Sequence, residues 1–407
     1  MYAGFWLNCA NASSKSTSLF NEIAPFHYVF GSFLHFKTRM EQNRLALVAL
    51  HFVAGIGDYT IRQLVSYCGS AEKVFKTPKG KLLKIPGIGP VIAETIAKGQ
   101  PFEKAEKEIK RAEKESVEIL FYTDKKYPSR LKQIPDAPSM LYVKGNVDLE
   151  NPKTVGIVGT RQATAYGKEQ VEKLVEGLTA HGALIVSGLA YGIDIQAHKQ
   201  ALKHKLPTVG VMGSGMDVIY PATHKETATK MLEHGGLITE NKFGTKPDAH
   251  NFPERNRIIA GLSDALIVVE AAEKGGALIT AEIANSYNKD VFAFPGSVGI
   301  TYSAGCNNLI KTNKAHLITA VKDLEYIMNW EVAKTATKKK VTAFSLDGYS
   351  EEERTILTLL LEKSPIMIDE LSWKSNLPVS QLASVLLGLE FSGVVKSLPG
   401  KMYVLKH

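Results

Sequence analysis

Residues 155–161 read Val-Gly-Ile-Val-Gly-Thr-Arg, a short apolar run that ends in a glycine, a hydroxyl and a guanidinium. Further short apolar runs follow along the chain, at 183–186, 207–211, 236–239, 265–269 and 290–294. Because the apolar residues in these runs are continuous rather than alternating, both faces of each strand should be buried, as in a parallel sheet covered by helices. The pattern predicts a doubly wound, mostly parallel α/β domain over residues 151–330.

The segment 40–118, which precedes this domain, has the pattern of several short helices. Two stretches, Gly55-Ile-Gly57 and Pro86-Gly-Ile-Gly89, place glycines at a turn between helices, which is typical of a helix-hairpin-helix. Such a turn can leave backbone N–H groups free to bind a phosphate, or it can serve only as a tight connection in a small packing domain. The sequence leaves both interpretations open.

Composition predicts the remaining segments. Residues 119–150 are irregular and rich in proline, which predicts a linking segment. Residues 331–349 contain consecutive lysines among Thr and Ala and are predicted to be a basic linker. Residues 350–407 show three helical stretches and two short apolar runs around a Pro-Gly pair, which predicts a winged helix. Since this last domain offers few basic residues, docking of a protein and binding of duplex DNA both stay open for it.

Residues 1–39 differ from the rest of the chain. They are rich in Ser, Asn and Phe, carry almost no charge and lack the pattern of a secretory signal. We expect a disordered extension there. The helical pattern begins at Met40, and the sequence does not decide whether Met1 or Met40 starts the protein.

Composition also excludes several classes of protein. Of the 407 residues, 44% are hydrophobic and 22% are charged, which rules out a wholly disordered or collagen-like chain. The 3 cysteines lie far apart without a metal-ligand spacing, so a disulfide framework is excluded and a cytoplasmic location is expected. No run of about 18 apolar residues occurs, so no membrane span is expected. The net charge of +8 is spread along the chain, and a polyanion would therefore need a local pocket.

Polar clusters follow the predicted strands. In doubly wound sheets, ligands bind at the carboxyl ends of the strands. Gly159, Thr160 and Arg161 supply backbone N–H groups, a hydroxyl and a guanidinium at a helix start, a combination that suits a phosphate. Arg255 and Arg257 lie on the same predicted edge. These arginines can bind phosphate or pair with a nearby carboxylate. The neighbouring aromatic residue, Phe252, can stack on a base or fill the core.

Several common motifs are absent from the sequence. The first strand is not followed by GxGxxG, and no phosphate-binding GxxxxGK[ST] loop occurs, which disfavours a dinucleotide cofactor and P-loop ATP hydrolysis. GxSxG and HExxH are also absent, which disfavours the commonest hydrolases and zinc proteases. His198 has no second His or Cys at ligand spacing and is predicted to be a structural helix residue.

The clusters, in this order, resemble the DNA-processing protein A family, also called DprA or Smf. The most specific match is Arg255-Asn-Arg-Ile-Ile-Ala-Gly-Leu-Ser263. Other matching stretches are Val158-Gly-Thr-Arg161, Ser187-Gly-Leu-Ala-x-Gly-Ile-Asp194, Tyr220-Pro221, Phe252-Pro and Phe294-Pro-Gly296. The resemblance covers residues 44–407 and implies an extended Rossmann-like domain flanked by a helix-hairpin-helix domain and a winged helix.

The resemblance also implies a function. It implies a cytoplasmic single-stranded DNA-binding protein that protects incoming DNA during natural transformation and loads the RecA recombinase onto it. It implies a homodimer through the Rossmann-like domain, with no catalytic residue, cofactor or metal. The residues implied to bind the strand are Gly159, Thr160, Arg161, Ser187, Gly188, Asn251, Phe252, Arg255, Asn256, Arg257, Gly275, Gly276 and Thr280, with Lys311 at the rim.

Two other functions stay open. Lys274-Gly-Gly276 with Thr280 and Glu282 also resembles nucleotide phosphoribohydrolases of the LOG-like fold, in which Glu282 would be the carboxylate that acts on the N-glycosidic bond. A transcription regulator that uses the winged helix would prefer duplex DNA. The long helix at 255–263 has no role in such a hydrolase, and single-stranded DNA binding is therefore the leading hypothesis.

Overall fold

The computed structural model describes residues 41–99, 101–330, 346, 348–398 and 401–405. The chain falls into two compact units, one within residues 1–333 and the other within residues 334–407. The predicted extension 1–39 and Met40 lie outside the described residues, as does most of the predicted linker 331–349.

The larger unit begins with a helical domain. Its helices are α1 (41–50), α2 (Asp58–Cys68), α3 (Ala71–Lys76), α4 (Lys79–Leu82), α5 (Pro90–Lys98) and α6 (Phe102–Lys114). Gly57 and Gly89 immediately precede α2 and α5, as the two predicted hairpins require. At the first hairpin, Gly55 has a φ of 79°, a left-handed conformation that favours glycine.

A nine-stranded sheet forms the rest of this unit. Its strands are β1 (Glu118–Phe121), β2 (Met140–Gly145), β3 (Thr154–Val158), β4 (Leu184–Gly188), β5 (Thr208–Val211), β6 (Gly235–Thr239), β7 (Ala265–Val268), β8 (Asp290–Ala293) and β9 (His316–Leu317). Their order is β1-β2-β6-β5-β4-β3-β7-β8-β9. The strands from β3 to β9 run parallel, which confirms the predicted fold class and the six predicted strands, β3 to β8.

The order of the strands creates a crevice at β3. Successive strands β4, β5 and β6 lie on one side of β3, whereas β7, β8 and β9 lie on the other. Val158 is paired with Val268, so the loops that begin at Gly159 and Val269 leave the sheet side by side. Such a switch point is where open α/β sheets bind ligands.

Helices cover both faces of the sheet, as the continuous apolar strands predict. Ile185 packs into one apolar layer, while its neighbours Leu184 and Val186 pack into the other. Burial of each such side chain contributes about 1.5–3 kcal/mol. The helices are α7 (Ser129–Lys132), α8 (Ala165–Leu178), α9 (Ile193–Lys203), α10 (Lys225–Met231), α11 (Asn251–Leu262), α12 (Gly276–Ser286), α13 (Thr301–Lys311) and α14 (Val321–Ile327), with 3₁₀ turns at Thr179–His181 and Ala222–His224.

The prediction of a linking segment at 119–150 is wrong. This segment supplies β1 and β2, which pair antiparallel with each other and extend the sheet beyond β6. The prolines lie outside the strands: Pro128 precedes α7, and Pro135 and Pro138 lie between α7 and β2. Because proline disrupts only the strand that contains it, prolines in the connection leave both strands intact.

The helical domain is fixed to the α/β domain by polar contacts. The Asp58 carboxylate, at the start of α2, accepts hydrogen bonds from the backbone N–H of Ser139 at 2.8 Å and from its hydroxyl at 2.6 Å. Lys242 donates from Nζ to the carbonyl oxygen of His51 at 2.9 Å. The first hairpin therefore takes part in packing, which favours the second of the two interpretations for it.

The smaller unit is a winged helix, as predicted. It contains α15 (Glu351–Glu362), β10 (Ile366–Met367), α16 (Ile368–Ser375), α17 (Val379–Phe391), β11 (Val395–Leu398) and β12 (Met402–Leu405), with the strand order β10-β12-β11. Leu357, Leu371 and Leu386 belong to its own apolar core. The third helix, α17, contains no Lys or Arg, whereas Leu387 and Phe391 are exposed on it.

Within the described ranges, no helix is both long and apolar enough to cross a membrane. In the same part of the chain, no three His, Cys, Asp or Glu side chains meet in a way that would hold a metal ion. Cys68 and Cys306 are free thiols, and Cys306 is buried beside β7.

Candidate nucleic-acid interface

An open groove of about 790 Å³ lies at the carboxyl ends of β3 and β7. The loops that follow these strands and the first turns of α11 and α12 line it. These elements meet because the order of successive strands reverses at β3, so that the loops after β3 and β7 leave the sheet next to each other. The predicted site residues that the groove brings together are Gly159, Thr160, Arg161, Phe252, Arg255, Asn256, Gly275, Gly276 and Thr280.

Glu270, just after β7, holds the loop between β3 and α8. Its carboxylate accepts hydrogen bonds from the backbone N–H of Thr164 at 3.0 Å and from the Thr164 hydroxyl at 2.6 Å. Its carbonyl oxygen accepts a hydrogen bond from the backbone N–H of Thr160 at 2.7 Å. Glu270 is buried, its hydrogen bonds go to this loop, and it forms no ion pair with an arginine among the described residues, so it acts as a brace for the loop.

Arg161 is presented to the groove by this braced loop. Its guanidinium carbon lies 5.7 Å from the ring centroid of Phe252, within cation–π range. No carboxylate among the described residues lies within salt-bridge distance of it. The guanidinium is therefore available to a ligand phosphate, and it stands next to an aromatic ring on which a base can stack.

Arg255 lies deeper than Arg161 and is held by the protein itself. Only 6% of it is exposed; it donates from Nη1 to the carbonyl oxygen of Val211 and from Nε to Oδ1 of Asn256 at 3.1 Å. A side chain at Gly188 would clash with Arg255 and with Asp194, so glycine there lets the two lie side by side. Burial raises the pKa of the Asp194 carboxyl, and the Arg255 guanidinium opposes this shift.

The amino-terminal end of α12 supplies the backbone donors on the β7 side of the groove. Gly275 precedes the helix and, as a glycine, has no side chain that could cap it. The first backbone N–H groups of a helix have no partner within it, so those of Gly276 and Ala277 are available to an anion. Thr280 donates from its hydroxyl to the carbonyl oxygen of Gly276 at 2.9 Å, which fixes this first turn.

Arg257 does not reach the groove, which corrects its predicted placement. Its Nη2 contacts the Glu240 carboxylate and lies 3.6 Å from Asp58, and its Nη1 donates to the carbonyl oxygen of Asp136 at 2.7 Å. Burial raises the pKa of the Glu240 carboxyl to about 7, and Arg257 opposes this shift. Arg257 therefore joins the α/β domain to α2 of the helical domain.

Four other predicted residues also lie outside the groove lining. Ser187 is buried and donates from its hydroxyl to the carbonyl oxygen of Ile157 at 2.5 Å, and Gly188 lies beneath the groove beside Arg255. Asn251 begins α11 but does not line the groove. Lys311 ends α13, which begins beside the groove at Thr301, and the rise of the helix places Lys311 about 15 Å away.

The residues that sequence analysis considered for other chemistry have structural roles. Glu282, the carboxylate of the hydrolase hypothesis, pairs with Lys314 at 2.7 Å and does not line the groove. His198 is buried, as predicted for a structural residue. Its Nε2 is hydrogen-bonded to the carbonyl oxygen of Gly188 and its Nδ1 to the hydroxyl of Thr208, both at 2.7 Å.

A family model described as DNA recombination-mediator protein A matches residues 118–329, more than half of the chain. The chain belongs to this family. This match confirms the family resemblance that the sequence motifs indicate. A DprA winged helix domain model matches residues 340–401, and a SAM-like helix-hairpin-helix tandem model matches residues 49–99 and 79–126.

Relatives within the DNA recombination-mediator protein A family agree with this assignment. Protein Smf of Synechocystis sp. is 31% identical over 386 residues, which cover 86% of this chain and 96% of the relative. DNA processing protein DprA of Bacillus subtilis is 41% identical over 211 residues, which cover 52% of this chain and 71% of the relative. The X-ray structure of DprA from Streptococcus pneumoniae has a TM-score of 0.62 at 33% identity, and the match covers 70% of this chain and 97% of that one.

Some residues that line the groove were not predicted from the sequence. Gln162, Tyr220, Lys274 and Tyr302 all line it. Lys274 precedes the predicted Gly-Gly pair, and Tyr220 belongs to a stretch that carries the family resemblance, so both offered a signal. Tyr302 lies beyond β8 at the start of α13 and offered none; its hydroxyl contacts the Gln162 side chain across the groove.

Proposed function

We propose that this protein binds single-stranded DNA along the groove at the carboxyl ends of β3 and β7, without reading its sequence. The observation that carries the proposal is the pairing of Arg161 with Phe252. A guanidinium without a salt-bridge partner among the described residues stands 5.7 Å from an aromatic ring, and both line the groove. Phosphate contact and base stacking are the two interactions on which sequence-independent strand binding depends.

The rest of the groove supports the same function. Backbone N–H groups at the start of α12 add donors for phosphate oxygens, and Arg255, which also lines the groove, adds a guanidinium that Val211 and Asn256 hold in place. Stacking on Phe252 needs an exposed base face, which a paired base inside a duplex does not offer. We therefore expect the protein to prefer an unpaired strand to a duplex of the same sequence.

The proposal extends to the biological role. As a member of a recombination-mediator family, the protein would hold incoming single strands in the cytoplasm during natural transformation, protect them and pass them to the RecA recombinase. It would act as a homodimer through its Rossmann-like domain. A measurable consequence is faster assembly of recombinase filaments on single strands coated with single-strand-binding protein when this protein is added.

The first prediction tests the groove with Arg161→Ala. Loss of a charge-assisted hydrogen bond to phosphate should weaken binding of an oligothymidylate about tenfold or more. It should also make the slope of log affinity against log salt shallower by about 0.7, since one phosphate fewer is neutralised. Fluorescence anisotropy of an end-labelled strand across a salt series measures both quantities.

Lys311→Ala is the matched control, because it removes the same charge from an exposed position about 15 Å along α13 from the groove. Its affinity and salt slope should equal those of the unaltered protein. Wild-type affinity and slope in Arg161→Ala would refute the groove as the binding site. Equal affinity for single strand and duplex would refute the proposed preference.

A further inference from the structure

Two half-exposed tyrosines lie beside the groove, on the side toward β5. Tyr191 follows β4 and is 48% exposed, and Tyr220 follows β5 and is 49% exposed. Both line a second, much smaller depression of about 30 Å³ together with Phe252. Phosphate binding by Arg161 and by the backbone donors of the main groove does not require two large aromatic rings at this place.

The depression is continuous with the main groove. Arg161, Tyr220, Phe252 and Arg255 line both. Among the described residues that line the depression, these two arginines are the only charged ones, and both already belong to the main groove. A strand that leaves the main groove across Phe252 therefore meets aromatic surface rather than new phosphate-binding groups.

The tyrosine rings are held in place before any ligand binds. Tyr220 lies 5.9 Å from Phe252 between ring centroids, at an interplanar angle of 36°. The Tyr191 ring stands edge-on against His224 at 4.9 Å, and Nδ1 of His224 is hydrogen-bonded to the carbonyl oxygen of Leu189 at 2.7 Å. Aromatic rings held in this way lose little conformational freedom when a base stacks on them.

The loop that carries Tyr220 is also anchored. The Ser214 hydroxyl donates to the carbonyl oxygen of Val218 at 2.6 Å, and the Asp217 carboxylate accepts a hydrogen bond from the backbone N–H of Gly244 at 2.8 Å. Asp217 also pairs with Arg111 of α6 at 2.8 Å. The position of Tyr220 is therefore built into the fold.

We infer that Tyr191 and Tyr220 form a stacking subsite for bases of the same strand, next to the phosphate-binding groove. The inference rests on the proposed binding of single-stranded DNA and deepens it. It assigns phosphate contact to Arg161 and the α12 end, and base contact to Phe252, Tyr220 and Tyr191 in turn. The strand would thus run from the β7 side of the groove toward β5.

The test compares a strand with bases to a strand without them. Tyr191→Ala and Tyr220→Ala should each weaken binding of an oligothymidylate by at least about fivefold, since stacking on one ring contributes about 1–3 kcal/mol. Neither should weaken binding of an abasic strand of the same length more than about twofold, because that strand keeps the phosphates and loses the bases. Tyr191→Phe and Tyr220→Phe keep the rings and should bind both strands as the unaltered protein does.

The salt dependence separates this subsite from the groove. The tyrosine variants should keep the wild-type salt slope, whereas Arg161→Ala should not and should lose affinity for both strands. Unchanged oligothymidylate binding in both Tyr→Ala variants, or equal losses on the two strands, would overturn the subsite while leaving the groove intact. Loss of recombinase stimulation with unchanged strand binding would overturn it too and assign the tyrosines to a protein partner. Failure of the unaltered protein to bind either strand would overturn the proposed function itself.

Discussion

Glu270 sets the shape of the groove although it lines none of it. Its carboxylate holds Thr164, the residue that caps α8, and its backbone carbonyl holds Thr160. Arg161 lies between these two fixed points. The brace therefore determines where the one guanidinium that we assign to phosphate contact can reach.

Glu270→Ala should lower the free energy of unfolding by about 2–3 kcal/mol, because it leaves the N–H and hydroxyl of Thr164 without their acceptor. Glu270→Gln keeps one acceptor oxygen at the same place and should lose less. Urea denaturation followed by circular dichroism measures both values. Equal stability of the two variants would contradict the role of the carboxylate as a brace.

His198 makes a second residue-scale prediction, on acid stability. Burial lowers the pKa of His198 to about 4, from 6.5 in the unfolded chain. The unfolded state therefore binds a proton before the folded state does, and stability falls as the pH drops from 6.5 toward 4. His198→Gln, which does not titrate, should lose about 2 kcal/mol less between about pH 7 and pH 5. Urea denaturation at the two pH values measures the difference; parallel losses would contradict the assignment.

Arg255 and Arg257 show what sequence reasoning cannot decide at this scale. Both belong to one run on the predicted ligand edge, and only two positions separate them. On a helix, that separation turns the two side chains about 200° apart. Which of them meets the groove depends on partners distant in sequence, such as Glu240 and Asp58, and no local pattern names those partners.

At the scale of elements, the six buried parallel strands were predictable, and the two antiparallel strands that extend the sheet beyond β6 were not. β3 to β8 are continuous apolar runs, which only a doubly covered sheet accommodates. β1 and β2 are short and separated by a proline-rich connection, so composition indicates a link there. Their membership in the sheet depends on the pairing of β2 with β6, a contact between residues far apart in sequence, such as Tyr142 and Thr239, which are 97 positions apart.

The element-scale prediction concerns the contact of α11 with the helical domain. Arg257→Ala should lower the free energy of unfolding by about 3 kcal/mol or more, because it leaves Glu240 and Asp58 without their shared cation. Combining Arg257→Ala with Glu240→Gln should recover part of the loss, since one uncompensated carboxylate is removed. Urea denaturation of the single and double variants measures this coupling. Additive losses would show that the two residues do not act as a pair.

At the scale of the whole molecule, the chain has two units with separate cores. The apolar pattern indicates a winged helix at the carboxyl end, and the structure confirms it with its own buried leucines. The order in which the strands assemble around β3 is not readable from the sequence, because every buried strand has a similar pattern. The sequence therefore predicts that the site lies at the carboxyl edge of the sheet. It does not predict which loops lie next to each other there.

A chain that ends at Trp330 should keep the single-strand affinity and salt slope of the full chain. All residues that line the groove belong to the larger unit, and α17 of the smaller unit contains no Lys or Arg. Anisotropy on the full and shortened chains tests this. Residues 346–407 alone should melt cooperatively on heating. A large loss of affinity in the shortened chain would assign strand contact to the winged helix.

The twelve-residue helix α11 carries Phe252 and Arg255, which line the groove, and Arg257, which contacts the helical domain. Phe252 and Arg257 lie five residues apart on this one helix, so the contact of Arg257 with Asp58 of α2 helps to fix the element that presents Phe252 to the groove. We therefore expect Arg257→Ala to shorten the time that a bound strand stays on the protein, which the dissociation rate of a labelled strand measures.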